Sequence, residues 1–188
     1  MVRTQKFICA LAHAPIVLNT GFVDDCLRQN RYVDPEQYLL VDEDFEKTAG
    51  YSLSNSLTRA SRNQGSLLRH HIIYCTEDIH GGYDTYKAIT EVNGGGCTLF
   101  RARGGAQVAL QEGPKEETSS GKSNSNVVYL LSGKTPADRK LWSKFRRMVE
   151  MNGKKPQIVC HDWLLQTALS QQDMSPENYI LGDTESGA

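Results

Sequence analysis

Apolar positions at helical spacing open the chain: Phe7, Ile8, Leu11 and Ala12 form one stripe across residues 3–14, and Pro15 ends it, which predicts a helix. Residues 16–18 read as a short buried strand. Thr20 is placed to cap a second helix with Phe22, Val23, Cys26 and Leu27 on one face, and Asp34-Pro35 turns the chain before the packed Tyr38, Leu39 and Leu40. Residues 42–46 are an acidic run expected to lie in solvent. Leu53, Leu57 and Ala60 mark a narrow helical stripe over residues 52–62, closed by Gly65.

The rhythm then changes. Residues 67–75 (LLRHHIIYC) predict a strand, Gly81-Gly82 a loop, residues 83–93 a helix stopped by Gly94-Gly95-Gly96, and residues 97–100 a second strand. Residues 104–126 hold few apolar side chains among many Gly, Ser, Asn and Glu, so a flexible surface loop is expected. The continuous apolar run 127–131 (VVYLL) predicts a buried strand, and Thr135-Pro136 opens a helix to about residue 151 with Leu141, Trp142, Phe145, Met148 and Val149 inward. Residues 158–160 are a fourth strand and 163–169 a third helix. Short strands joined through helices imply an α/β fold, a small parallel four-stranded sheet flanked by helices.

One pattern occurs twice. Residues 16–40 (IVLNTGFVDDCLRQNRYVDPEQYLL) resemble residues 158–181 (IVCHDWLLQTALSQQDMSPENYIL). Phe22 and Trp163, Pro35 and Pro176, Tyr38 and Tyr179, and Leu40 and Leu181 stand 141 apart (163 − 22 = 141), whereas the leading Ile-Val pairs stand 142 apart (158 − 16 = 142), a register with one gap. Two copies imply two related units. Residues 1–45 are read as the C-terminal half of a first domain, 46–66 as a linker with a helix, 67–182 as a complete second domain and 183–188 as a tail; the chain is expected to start inside a domain.

The net charge of −1 argues against general nucleic-acid coating, which needs a basic excess, so any basic site must be local. Lys140, Lys144, Arg146, Arg147, Lys154 and Lys155 form such a patch, read as a solvated face that leaves DNA contact open. Five cysteines without a CxxC pair read as buried intracellular thiols, and no apolar stretch approaches 18 residues, so no membrane partner is expected. His70, His71, Cys75 and His80 lack a second ligand pair for zinc. The glycine clusters have neither GxxxxGK[ST] nor GxGxxG layout and are turn glycines. Cys160-His161-Asp162 are neighbours at a strand end rather than a catalytic set, and neither an enzymatic role nor a cofactor is expected.

With Gly94-Gly95-Gly96 between helix and strand, Trp163 in the last helix and Phe22 at the matching place, the sequence resembles a tandem pair of BRCT domains. It is similar in particular to the C-terminal pair of fungal multi-BRCT DNA-damage scaffolds, in VRTQKFICALAHAP, LLRHHIIYCTEDIHGGYDTYK and NGGGC. The resemblance implies a nuclear, non-enzymatic reader of phosphoserine. In that family a Ser/Thr and a backbone N–H after the first strand, with a Lys near the start of the second helix, hold the phosphate. Carried over, Lys6 is the phosphate ligand within the stretch Arg3-Thr4-Gln5-Lys6, and Arg3 fixes the residue three places beyond the phosphoserine or a free carboxylate. The helix with Phe7 and Ile8 lines an apolar groove. The Ser/Thr-Gly loop of that pocket is expected to lie before Met1. Thr76 with Lys134 or Lys140 is a candidate secondary phosphate site. The implied partners are a phosphoserine protein, such as a phosphorylated histone tail, and other DNA-repair proteins. A rival reading is a phospho-independent protein or DNA assembly surface; a small α/β enzyme lacks its glycine fingerprint.

Overall fold

The computed structural model describes residues 4–101 and 126–182. The elements run in chain order as α1 (Gln5–Leu11), α2 (Gly21–Gln29), α3 (Glu43–Ala49), α4 (Leu53–Asn63), β1 (Ile72–Thr76), α5 (Tyr83–Val92), β2 (Gly96–Phe100), β3 (Val127–Ser132), α6 (Pro136–Met151), β4 (Lys155–Cys160) and α7 (Asp162–Ser170). Single 3-10 turns occupy Pro35–Tyr38 and Glu177–Tyr179. The four strands pair in the order β2-β1-β3-β4, all parallel. The α/β fold class read from the sequence is therefore present.

Both faces of the sheet are covered, as a parallel sheet requires. Ile73, Cys75, Tyr129, Leu131 and Val159 meet Tyr86, Ile89, Trp163, Leu164 and Ala168 on one side. Tyr74, Phe100, Val128, Leu130 and Ile158 meet Trp142, Phe145 and Val149 of α6 on the other. Alternate residues of β1, β3 and β4 thus enter different cores, which is why these strands read as unbroken apolar runs. The start of α6 is fixed by a reciprocal cap: the Thr135 hydroxyl accepts from the Asp138 N–H at 3.1 Å, and the Asp138 carboxylate accepts from the Thr135 N–H and hydroxyl at 3.3 and 2.7 Å. Asp138→Ala is expected to lower stability by about 1–2 kcal/mol, read as a lower urea midpoint at unchanged slope.

The two copies of the repeat fold alike. Leu18 bridges Leu39 and Val159 bridges Ile180, both antiparallel, and both pairs are offset by 141 (159 − 18 = 141; 180 − 39 = 141). The left-handed residues that end α2 and α7, Asn30 and Gln171, share that offset (171 − 30 = 141). The gap expected in the register is corrected: Val17-Leu18, not Ile16-Val17, stands opposite Ile158-Val159, because the bridge to the following segment sets the alignment.

Other expectations change as well. Residues 16–18 make a single bridge rather than a strand. Thr20 makes no side-chain cap; Asn19 Oδ1 accepts from the Gly21 N–H at 3.0 Å instead. The strand expected over 67–75 begins only at Ile72, since the Leu68 N–H is drawn to the Asn93 carbonyl at 2.7 Å and the His71 N–H folds back on Leu68. The acidic run forms α3, with Asp42 capping the Phe45 N–H at 3.1 Å and carboxylates in the first turn, where the helix dipole favours them. The fourth strand starts at Lys155, and its Pro156 is tolerated at the border of the sheet. The flexible loop predicted for 104–126 lies, apart from Asn126, outside the described residues.

Candidate functional site

Thr4, extended at φ −83° and ψ 154°, starts α1 by accepting from the Phe7 N–H at 3.3 Å. Ile8 and Leu11, three apart, then share a buried face, and α1 packs on α5 and α7. His13 anchors the far end, its Nε2 lying 3.0 Å from the Val92 carbonyl oxygen. Two further stitches join α4 to the end of α7: Arg59 donates to the Ser170 carbonyl at 3.0 Å and Asn63 to the Gln171 carbonyl at 2.9 Å. Gln171 in turn donates to Asn93 at 3.0 Å. The first segment is therefore held on the second through helices.

That packing decides what α1 offers to a ligand. Lys6 is exposed in its first turn. Thr4 is exposed, with its hydroxyl engaged as the cap. Ile8 is only 1% exposed, in the core shared with Trp163 and Leu164, so the expectation that it lines a peptide groove is corrected: its side chain already faces α5 and α7. Phe7 is half-buried beside Val17, Leu40 and Leu57. Arg3 lies outside the described residues.

The secondary site does not assemble as expected. A cavity of about 610 Å³ opens at the C-terminal ends of β3 and β4, where α6 and α7 begin, and Lys134 lines it. Thr76 and Lys140 are not among its lining residues; Thr76 is fully buried with its hydroxyl unpartnered, and Lys140 is exposed on α6. Asp78, Asp138 and Asp162 share the cavity with Lys134, so carboxylates outnumber ammonium groups there and oppose a phosphate dianion.

Sequence reasoning missed the aromatic cluster at this cavity. The His161 ring lies 5.6 Å from Tyr86 and 5.9 Å from His80, centroid to centroid. Only the position of His161 at a strand-to-helix junction signalled it. Cys160, His161 and Asp162, the neighbours at the end of β4, all line the cavity. Elsewhere a hydrogen bond with Cys97, and then burial, raise the Cys75 thiol, which holds it protonated and unreactive. Among the described residues no three His, Cys, Asp or Glu side chains come together as a metal site, and no helix is long and apolar enough to cross a membrane.

Residues 1–40 match the family model described as the Regulator of Ty1 transposition protein 107 BRCT domain. A crystal structure of the Schizosaccharomyces pombe Brc1 BRCT5-BRCT6 domains superposes with TM-score 0.70 at 25% identity, covering 97% of this chain and 79% of that one. The fold is a BRCT fold. The chain is 28% identical over 175 residues to BRCT-containing protein 1 of Schizosaccharomyces pombe, which covers 92% of the chain but only 19% of that relative's length. It is 31% identical over 77 residues, 41% of the chain and 4% of the relative, to the human (Homo sapiens) Mediator of DNA damage checkpoint protein 1. The complex of Rtt107p with a phosphorylated histone shares the fold, with TM-score 0.61 at 14% identity over 96% of this chain and 72% of that one. The resemblance read from the sequence to the C-terminal BRCT pair of fungal scaffolds thus stands.

Proposed function

We propose that this BRCT chain is a phosphoserine-peptide-binding scaffold module of the nuclear DNA damage response, reading a phosphorylated histone tail in the intact parent protein and performing no catalysis. The likeness to the fission-yeast BRCT pair over nearly the whole chain carries this reading. The partner assignment draws support from Rtt107p, which shares the fold and is seen in complex with a phosphorylated histone, and the pathway from the damage-checkpoint mediator.

On this reading Lys6 supplies the ammonium group. It stands exposed in the first turn of α1, where it is free to reach an anion, and charge-assisted bonds to phosphate are the strong kind. Arg3 reads the peptide beyond the phosphoserine, and Thr4 holds the helix start in place. The cavity lined by Lys134 is the poorer phosphate seat because of its three carboxylates.

Fluorescence anisotropy of a phosphoserine histone-tail peptide against its unphosphorylated twin tests the proposal, on this chain and on a form extended at its N-terminus. Lys6→Ala is expected to weaken phosphopeptide binding by about 10–100-fold, the loss of one charged hydrogen bond worth roughly 1.5–3 kcal/mol, with Lys134→Ala silent. Equal binding of both peptides would instead favour a phospho-independent assembly surface.

A further inference from the structure

The chain as a whole carries −1, but its charge is not spread evenly. Residues 134–155 hold eight Lys and Arg against two Asp and Glu, a net of +6 (8 − 2 = 6), and the remainder of the chain holds −7 (13 − 20 = −7). Helix α6 and the turn after it therefore carry a positive field on an otherwise acidic protein.

The helix sorts these charges by face. Trp142, Phe145 and Val149 are turned to the sheet. Lys140, Lys144, Arg147 and Met151, at spacings of four, three and four, form the opposite stripe, and all four are exposed. No acidic residue stands on that stripe. Glu150 falls on the flank with Arg139 and Arg146, where Arg139 is engaged at the helix start: its Nε donates to the Lys134 carbonyl at 3.2 Å and its guanidinium lies over the Trp142 ring. Beyond the helix the Lys154 N–H returns to the Val149 carbonyl at 3.2 Å, which sets Lys154 and Lys155 beside the last turn.

Among the described residues no carboxylate pairs with Lys140, Arg147, Lys154 or Lys155. Like charges three and four apart oppose the helix that bears them, so the stripe does not serve stability, and a polyanion would relieve its repulsion. The shape narrows the choice of polyanion. The stripe runs along the outside of a helix, the cavity beside Lys134 lies at the far end, and Met151, 77% exposed, is the stripe's only apolar member. A peptide needs a groove or a strand edge with apolar anchors. A nucleic-acid duplex brings its own grooves and needs only cations at its phosphate spacing. Lys140 and Arg147 are about 10 Å apart along the axis, which matches the rise of about three phosphates of one strand.

We propose that the α6 stripe of Lys140, Lys144 and Arg147, with Lys154 and Lys155, seats the phosphate backbone of double-stranded DNA without reading its sequence. α6 covers the sheet face opposite to the one on which Ile8 of α1 packs, so this seat is separate from Lys6 and stands whether or not Lys6 holds a phosphoserine.

The test is fluorescence anisotropy of a labelled duplex of about 20 base pairs with the 188-residue chain, between about 50 and 200 mM NaCl. Binding is expected in the micromolar range at the lowest salt, falling with a log–log slope of about −3 to −4. Lys140→Glu with Arg147→Glu is expected to weaken it at least about 10-fold and to flatten the slope by about 2, whereas Lys47→Glu with Arg62→Glu, the same charge change on α3 and α4, leaves it within about 2-fold. All four positions are exposed, and Lys140→Gln with Arg147→Gln repeats the comparison should the first pair fail to fold. Absence of salt-dependent duplex binding, or equal losses from the two charge-matched pairs, would overturn the proposal. So would a polyglutamate peptide that binds as tightly as the duplex and is released by the same substitutions, which would make an acidic protein segment the occupant.

Discussion

Trp163→Ala is expected to cost about 3–5 kcal/mol, a large share of the roughly 5–15 kcal/mol that typically holds a domain folded. The side chain is fully buried, stacks on Tyr129 at 4.5 Å between ring centroids, lies 6.0 Å from His71, and donates its indole N–H to the Met174 carbonyl at 2.9 Å. Truncation leaves a large cavity against β3 and an orphaned carbonyl, and it loosens the face on which Ile8 docks, so α1 with Lys6 should lose order together with α7. Trp163→Phe keeps most of the stack and loses the hydrogen bond, at about 1–2 kcal/mol. Phe22→Ala, at the same place in the first copy, removes a half-buried ring that meets Tyr38 edge-on at 5.7 Å and should cost nearer to about 1 kcal/mol. Urea unfolding followed through tryptophan fluorescence, from Trp142 alone in the two Trp163 variants, gives all three values; equal losses for Trp163→Ala and Phe22→Ala would refute the difference in burial between the copies.

Pattern made the sheet legible because parallel strands buried on both faces leave continuous apolar runs, as in VVYLL, and because Thr135-Pro136 and the triple glycine punctuate the helices. Where long-range pairing decides, the pattern misled. Leu67 and Leu68 look like the start of a strand, yet the Leu68 N–H binds Asn93 across the glycine turn, a contact with no local signature. The acidic run before Phe45 looked solvated, although the same carboxylates cap and begin α3, and Phe45 meets Tyr51 edge-on at 6.0 Å. Of the candidate site, Lys6 was legible only through family likeness. Periodicity put Ile8 on the inner face of α1, but its partners α5 and α7 come from far along the chain, so the sequence did not reveal that helices rather than a peptide cover it.

The second large effect is expected at the glycine turn, where Gly94→Ala should destabilise by about 2–5 kcal/mol. Gly94 has φ +80°, which costs a side chain roughly 1–2 kcal/mol, and an added Cβ would stand 2.6 Å from the Gly65 carbonyl oxygen and 3.0 Å from the Ser66 Cα. Both obstacles are backbone and cannot rotate away, so overpacking adds about 1–3 kcal/mol. Gly95→Ala meets Leu68 and Thr90 at 2.9 Å without the positive φ and should lose less. Gly96, at the first position of β2, faces open space, and Gly96→Ala is expected to be nearly neutral. The order Gly94, Gly95, Gly96 in falling cost, read from three thermal melts, separates close backbone approach from mere turn propensity, since propensity alone would not rank the three this way. The junction that sets this order also carries the end of α4: Gly65 lies just past the Gln64 cap and stands against the His13 ring. Strain at Gly94 should therefore loosen His13 from Val92 as well, and disturb the mounting of α1 on the second unit before the sheet itself melts.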